Sequence, residues 1–210
     1  MYHGVTMTVN RRFANEIAWS GSYTWSHTAD TASDFDEQPQ NPYALAEELS
    51  ASRYDQRHRF VANGLFDLPI GEAEDRTPGV TPGLLVRMFS QIEVAPIFTR
   101  SSGRRLNPVT GGDDSGTHSA PLSARPLALA RNSLRLPNTA TLDLRVLKAI
   151  TVKSHRKLDL VIEVFNVFNR VNVTELNTVY GRDLAPLARF GRPIGAAAPR
   201  HLQFSIDFEF

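Results

Sequence analysis

The sequence predicts an all-β fold: an antiparallel up-and-down transmembrane β-barrel segment of about seven meandering strands with long external loops. Residues 200–210 alternate strictly, with Leu202, Phe204 and Ile206 against Gln203 and Ser205. Along the chain, the connections between alternating segments switch regularly between long ones and short or medium ones. Most of the prolines lie in these connections. No apolar run approaches the roughly 18 residues of a membrane helix. These observations favour strands as the membrane-crossing elements.

Composition excludes several classes of function. The 210 residues carry a net charge of +1, which argues against nonspecific nucleic-acid binding, and no nucleic-acid partner is expected. The absence of cysteine rules out disulfides, thiolate metal sites and thiol nucleophiles. No phosphate-binding glycine loop or nucleophile elbow is present, so the sequence predicts neither an enzyme nor a cofactor.

Seven segments are predicted as strands: 2–13, 17–26, 57–68, 87–99, 139–150, 156–169 and 200–210. The first two form a hairpin whose apolar face carries Trp19, Tyr23 and Trp25, which are typical of an aromatic girdle at a membrane interface. The opposite face of this hairpin is almost wholly hydroxyl. Pro96 cannot donate to a strand ladder, which makes the fourth segment the weakest prediction.

Every second connection along the chain is long, and the connections between them are shorter. Residues 28–56, 101–137 and 170–199 are long, and only a possible helical turn at 43–49 interrupts the first of them. The connections near residues 14–16, 69–83 and 151–155 are shorter. Outer-membrane barrels have short periplasmic turns and long extracellular loops, whereas a soluble sandwich has no reason to sort its loops in this way.

Alternation also assigns the two faces of the predicted sheet. The lipid face of the closing strand is predicted to carry Phe204, Ile206, Phe208 and Phe210. The outward set also includes Phe60, Phe66, Leu160 and Ile162. The polar face is predicted to line a lumen, and its candidate charged residues are Arg57, Arg59, Asp143, Arg145, Asp159 and Glu163.

Possible ion sites are weak. The six histidines lack ligand spacing, so no metal ligand is predicted. The acidic group Asp30, Asp34 and Asp36 and the stretch 111–116 resemble calcium ligands only in residue type, and solvated loops are the simpler interpretation. The sequence 172–174 matches a glycosylation acceptor, but nothing else indicates a secretory pathway.

Several ordered motifs resemble the C-terminal barrel of TonB-dependent outer-membrane receptors, in particular the Oar-like subgroup. They are Tyr2-His3-Gly4 through Asn10-Arg11-Arg12-Phe13, Ser22-Tyr23-Thr24-Trp25-Ser26, Asp55-Gln56-Arg57-His58-Arg59-Phe60, Glu163-Val164-Phe165-Asn166-Val167-Phe168-Asn169 and the closing strand to Phe210. The resemblance implies location in the outer membrane of a Gram-negative bacterium and uptake of a large or scarce solute. It also implies that the barrel-assembly machinery recognises the closing strand.

The resemblance implies further partners as well. Residues 1–210 would be the C-terminal portion of a receptor barrel whose plug and N-terminal strands are absent from this chain. The lipid bilayer and the remainder of the barrel and plug are therefore expected partners, with TonB reached only through the missing part. Two alternatives remain: a soluble β-sandwich that binds carbohydrate or another ligand, and a closed barrel of eight strands.

Overall fold

In a computed structural model the chain forms one large antiparallel sheet with loops gathered at one end. The structure describes residues 1–35, 37–69, 83, 89–114, 116, 118, 124–127, 129–153 and 156–209. None of the described residues form a helix that is both long and apolar enough to cross a membrane.

The sheet is a meander of seven long strands. Their bounds are β1 Tyr2–Ala14, β2 Ile17–Asp30, β4 His58–Leu68, β5 Ile92–Ser101, β8 Thr139–Lys153, β9 Arg156–Phe165 and β12 His201–Glu209. They lie in that order, each antiparallel to the next, and the two-residue strand β3 (Ser50–Ala51) pairs with the end of β2. Separate ladders join β6 (Arg105–Leu106) to β7 (Leu134–Arg135) and β10 (Val173–Leu176) to β11 (Pro193–Ala196), and one 3-10 helix covers Leu45–Glu48.

The pairing register places most of the large apolar residues of the seven strands on one face, whereas Val61, Ile97 and Val161 lie on the other. Directly paired residues of antiparallel strands lie on the same side of a sheet. Tyr23 pairs with Phe60, and at the other end of the sheet Val146 pairs with Ile162, which pairs with Phe204. The opposite face of β1 and β2 is a ladder of hydroxyls. Three cross-strand contacts form it: Thr6–Thr24, Thr8–Ser22 and Ser20–Asn10, with O···O distances of 3.0, 3.3 and 2.7 Å.

The first hairpin has the predicted tight turn. Ala14 pairs with Ile17, and the two residues between them, Asn15 and Glu16, have φ of 51° and 66°. Positive φ at both central positions is the type I′ geometry, whose twist matches that of the flanking strands. Asparagine tolerates this region better than most residues, which explains its place here.

Several strand boundaries differ from the prediction, and β8 runs three residues further, to Lys153. Strand β2 continues to Asp30, because the polar residues 27–30 find backbone partners in β1 and β3. Arg57 precedes β4, and β5 begins only at Ile92 after Gln91 adopts a φ of 53°. Strand β9 ends at Phe165, where an asparagine-rich turn starts. Residues 87–88 and 210 lie outside the described residues.

Pro96 lies inside β5, and the surrounding ladders explain how it is accommodated. On the β8 side, pairing is continuous and includes Pro96 with Leu144. On the β4 side, the ladder passes from Ile97 directly to Val94 without a change of register. A proline lacks the N–H that a ladder needs, so the missing pairs fall where a donor is absent.

The sheet is open. Strands β1 and β12 occupy its two ends and do not pair with each other among the described residues, so the alternative of a closed eight-stranded barrel is wrong. The β-sandwich alternative is also wrong, because it would bury Trp19 and Phe60 between packed sheets, whereas both are exposed. The predicted all-β antiparallel meander and incomplete barrel are confirmed.

Candidate functional site

Three long loops lie at one end of the sheet, and their described residues within 31–57, 102–138 and 166–200 form what we call the loop cap. An antiparallel meander requires this arrangement, since every second connection returns to the same end. Most of the residues with buried side chains belong to the cap or to the strand ends beside it, and many of them are polar or charged. The cap is therefore a packed structure with a largely polar interior.

Arg131 is the centre of the cap. Its side chain is fully buried, and its guanidinium binds Glu37 through two hydrogen bonds of 2.7 and 2.9 Å. The same group donates to the Asp30 carboxylate at 2.9 Å and to the Ser33 hydroxyl at 2.8 Å. A buried charge is tolerated only when it is paired and hydrogen-bonded. Arg131 therefore joins the second loop to the first.

A second buried ion pair reinforces this junction. Arg125 contacts both carboxylate oxygens of Glu48 at 2.8 Å, and both side chains are nearly inaccessible to solvent. The 3-10 helix holds Glu48 in place, and the Gln40 backbone N–H donates to the same carboxylate at 2.8 Å. Two-point pairing of guanidinium and carboxylate adds geometric specificity to the charge attraction.

Asp55 sits at the base of the cap among several cationic groups. Its Oδ1 accepts from the Thr28 backbone N–H at 3.0 Å and lies 3.1 Å from His27 Nδ1. Around Oδ2 are three guanidinium groups at 3.7–3.8 Å, from Arg57, Arg105 and Arg135. One carboxylate thus faces three guanidiniums, and the base of the cap carries a surplus of positive charge.

The third loop joins the cap through backbone and amide contacts. Val109 and Val179 form a parallel bridge, flanked by N–H···O bonds of 2.9 and 2.8 Å to Thr178 and Tyr180. Asn172 is buried, and its side-chain amide bonds both the N–H and the C=O of Ala140 at the start of β8. The predicted glycosylation match at residues 172–174 therefore falls on an asparagine that already has its partners inside the fold.

The asparagine turn after β9 ties the last two long strands together. Asn166 has a φ of 50°, its backbone N–H donates to Asp143, and its amide donates to the carbonyls of Arg170 and Ala198. Asn169, also at a φ of 50°, accepts from the Arg200 N–H at 3.0 Å. The turn sets where β12 begins.

The carboxylates of the cap are stabilised in their charged forms. Burial raises the pKa of Glu37 and Glu48, but the hydrogen bonds and positive charge of Arg131 and Arg125, together with the backbone N–H groups of Ser33 and Gln40, outweigh it and hold each pKa below its usual range. For Asp55, burial is likewise outweighed by the Thr28 N–H, by His27 and by Arg57, and the pKa is lowered. The cap therefore depends on ionised carboxylates.

The structure places the predicted lumen residues on or near the polar face without gathering them into one site. Arg145 lies 3.8 Å from Glu163. Asp159 pairs with Lys157 at 2.9 Å, and Asp143 accepts from the Asn166 N–H at 2.8 Å. Arg57 lies beside Asp55, whereas Arg59 is exposed on the polar face of β4.

The predicted lipid-face and girdle residues share the opposite face. Trp19, Tyr23 and Trp25 are about two-fifths exposed, with relative areas of 41%, 39% and 39%. Phe204, Ile206 and Phe208 of β12 are more than half exposed. Phe210 lies outside the described residues.

The possible ion ligands are engaged by cationic groups or by backbone. Asp30 pairs with Arg131 and Asp34 with Arg53, while Asp114 pairs with Arg182 at 2.6 Å. Asp36 and Ser115 lie outside the described residues. Within the part of the chain that the structure describes, no group of three or more potential ligands could hold a metal ion.

The comparisons with known proteins agree with this architecture. The chain matches the outer membrane beta barrel domain family over residues 1–131 and 127–203. It belongs to this family. No curated protein and no solved structure matches the chain. The predicted location in the outer membrane is confirmed, and the protein works in a lipid environment.

The residues that build the cap were missed by sequence reasoning. Arg125, Arg131 and Arg135 belong to a long basic loop and Glu48 to a long acidic one, and no motif marks any of the four. Their partners lie up to 101 residues away in sequence, so no local pattern indicates the pairing. The signal available was compositional: an acidic first loop and a basic second loop.

Proposed function

We propose that this chain is the C-terminal part of the barrel of an outer-membrane TonB-dependent receptor that takes up a large or scarce solute. The observation that carries the proposal is the loop cap: a packed, charged structure at one end of a sheet whose faces suit lipid and water. Loops on a rigid scaffold are where binding residues concentrate. The receptor motifs in strands β1, β2, β4, β9 and β12 support the choice of receptor class.

In this proposal the two faces of the sheet have different surroundings. The apolar face contacts the bilayer, with Trp19, Tyr23 and Trp25 in the aromatic girdle. The hydroxyl-rich face lines the lumen, with Arg59, Arg145 and other charged side chains available to the solute or to a plug. The open edges of β1 and β12 pair with further strands, because an unpaired ladder cannot face hydrocarbon.

The loop cap is the external, solute-facing end in this proposal. Its surplus of guanidinium groups around Asp55 lies where the polar face meets the loops. Residues exposed on the cap, such as Leu127 and Leu184, would then be reachable from the medium. The short turn at Asn15 and Glu16 would face the periplasm.

Single-cysteine labelling tests the orientation, because the chain has no cysteine of its own. Intact cells carrying Leu127→Cys or Leu184→Cys should react with a membrane-impermeant maleimide. Asn15→Cys should react only after the outer membrane is permeabilised. The reverse pattern, or labelling of all three in intact cells, would show that the cap is not the external end.

An uptake experiment tests the receptor function separately. In the bacterium that encodes the chain, deletion of the gene should abolish growth on one scarce nutrient from a panel of iron chelates and oligosaccharides. Inner-membrane uncoupling, or loss of TonB, should abolish accumulation of the same solute in wild-type cells. Uptake that survives uncoupling would point to a passive pore.

A further inference from the structure

A groove of about 490 Å³ crosses the apolar face between β1 and β5. Small or flat residues at neighbouring register positions, Gly21, Ala62, Gly64 and Pro96, leave room that larger side chains would fill. Aromatic residues surround them: Trp19, Tyr23, Phe60, Phe66 and Phe98. The lining is almost wholly apolar, so the groove suits a hydrocarbon chain.

A second depression of about 240 Å³ continues the groove toward the loop cap. Tyr23 and Phe60 line both depressions, so the two adjoin. Arg100 and His58 line the second depression together with Ser101, Ser102 and Asn138. The apolar groove therefore opens into a mainly apolar depression that has an arginine in its lining.

Arg100 stands on the apolar face, which is unusual for a charged residue in a membrane strand. It pairs with Phe60 on β4 and with Ala140 on β8, which fixes its face. Its side chain is exposed, and it has no hydrogen bond or ion pair to any residue that the structure describes. The neighbouring His58 is held differently, since its Nδ1 lies 2.8 Å from the Tyr23 hydroxyl.

We propose that these adjoining depressions bind one phosphorylated lipid, with an acyl chain in the apolar groove and the phosphate on Arg100. A guanidinium binds phosphate through charge-assisted hydrogen bonds, which are stronger where water is scarce. A lipid of the bilayer supplies both the acyl chain and the phosphate, and its phosphate lies near the membrane surface, toward the loop cap. The inference rests on the apolar face contacting lipid and does not require the proposed uptake function.

Shape distinguishes this site from ordinary lipid contact. A concave apolar surface that stays empty forfeits dispersion contacts, so a chain that fills it is favoured over one that passes across it. Gly21 keeps the groove open: a Cβ added there would meet only the Trp19 ring, at 4.0 Å. An added Cβ at Gly64 would instead clash with the Phe66 ring. Gly21 is therefore the position at which the groove can be filled without disturbing the sheet.

Fluorescence quenching tests the proposal on the full chain folded in detergent micelles. The chain has two tryptophans, so Trp25→Phe leaves Trp19 as a reporter in the groove. Brominated-chain lipids with a phosphomonoester headgroup are titrated against lipids with the same chains and an uncharged headgroup. The phosphorylated lipid should quench Trp19 at a mole fraction about tenfold lower, as one charge-assisted contact predicts.

Two matched arginine variants locate the headgroup. Arg100→Gln should abolish the preference for the phosphorylated lipid. Arg59→Gln should keep it, because Arg59 lies on the opposite face of the neighbouring strand, where its partner is Ser101. Arg100→Lys, which keeps the charge, should retain part of the preference and serves if Arg100→Gln does not fold, as judged by far-UV circular dichroism in the same micelles.

Two further measurements distinguish binding of the acyl chain from binding of the phosphate. Gly21→Leu should weaken quenching by both lipids, because it fills the groove. Inorganic phosphate at millimolar concentration should not reverse the quenching, since it lacks the acyl chain. Equal quenching by both lipids, or equal behaviour of Arg100→Gln and Arg59→Gln, would overturn the proposal and leave only bulk lipid contact. Full reversal by inorganic phosphate would also overturn it, in favour of a free-anion site.

Discussion

The sheet and the loop cap differ in which side chains they expose and which they bury. In the sheet, large apolar side chains are exposed, as Phe204 is at 70%, whereas in the cap charged side chains are buried, as Arg131 and Asp55 are at 0%. On the proposed lipid face of the sheet, exposure of apolar groups carries no cost. The cap meets water, and its interior is closed by paired charges. Each region is arranged for its own solvent.

The two regions also satisfy their backbones differently. Strand ladders satisfy the peptide groups of the sheet internally, as hydrocarbon requires. The cap has only short ladders, so side chains such as Asn166, Asn172 and Arg131 bond to backbone groups that would otherwise lack partners. Single substitutions in the cap should therefore have larger local consequences than most substitutions in the sheet.

The largest effect is expected at Arg131. Arg131→Met removes the guanidinium and leaves Glu37 and Asp30 without their ion pair, which should cost about 3–5 kcal/mol of cap stability. Hydrogen exchange of the first loop measures this loss. Arg53→Met, which breaks an exposed pair with Asp34, should cost less than about 1 kcal/mol. If exchange in β9 and β12 rises as much as in the loop, the two regions are not separable.

The second-largest effect is expected from a charge introduced on the apolar face of the sheet. Phe98→Arg places a guanidinium on the face that meets hydrocarbon and should lower the free energy of unfolding in lipid bilayers by about 2–4 kcal/mol. Thr99→Arg, one position along the same strand and on the polar face, should change it by less than about 1 kcal/mol. Equal costs would contradict the assignment of the faces.

Asn166 offers a smaller effect at the boundary of the two regions. Asn166→Ala loses the amide bonds to Arg170 and Ala198 and places alanine at positive φ, which should cost about 1–3 kcal/mol. Asn166→Gly removes only the bonds and should cost less. Thermal unfolding measures both against Gln38→Ala, an exposed loop substitution expected to be nearly neutral.

Acid should loosen the cap gradually. Glu37, Glu48 and Asp55 have lowered pKa values in the folded chain, so their contribution is complete above the unfolded-state pKa and disappears as pH falls through the folded one. Loop proteolysis should therefore rise below about pH 4. The amides of β8 and β9 should stay protected over the same range. Constant loop proteolysis down to pH 3 would show that these pairs do not hold the cap.

The predictability of each region follows from the range of its interactions. The strands were predicted because the alternation of apolar and polar residues is a local property, visible within about 10 residues. The least certain strand was β5, because Pro96 lies inside it. The ion pairs of the cap were not predicted, because Arg131 lies 94 residues from Glu37 and 101 from Asp30. Their pairing depends on how two loops fold, and neither loop has a regular alternation of apolar and polar residues from which its structure could be predicted.

The sequence by itself determined the strands, their order and which face of each is apolar, because a period of two follows from strand geometry alone. It also determined that the long loops lie at one end, since an antiparallel meander leaves no other arrangement. Only the tertiary structure decided which charges neutralise one another in the cap, and that Gly21, Gly64 and Pro96 line a single groove beside Arg100. Those relations depend on register and loop packing, which bring together residues from distant parts of the chain.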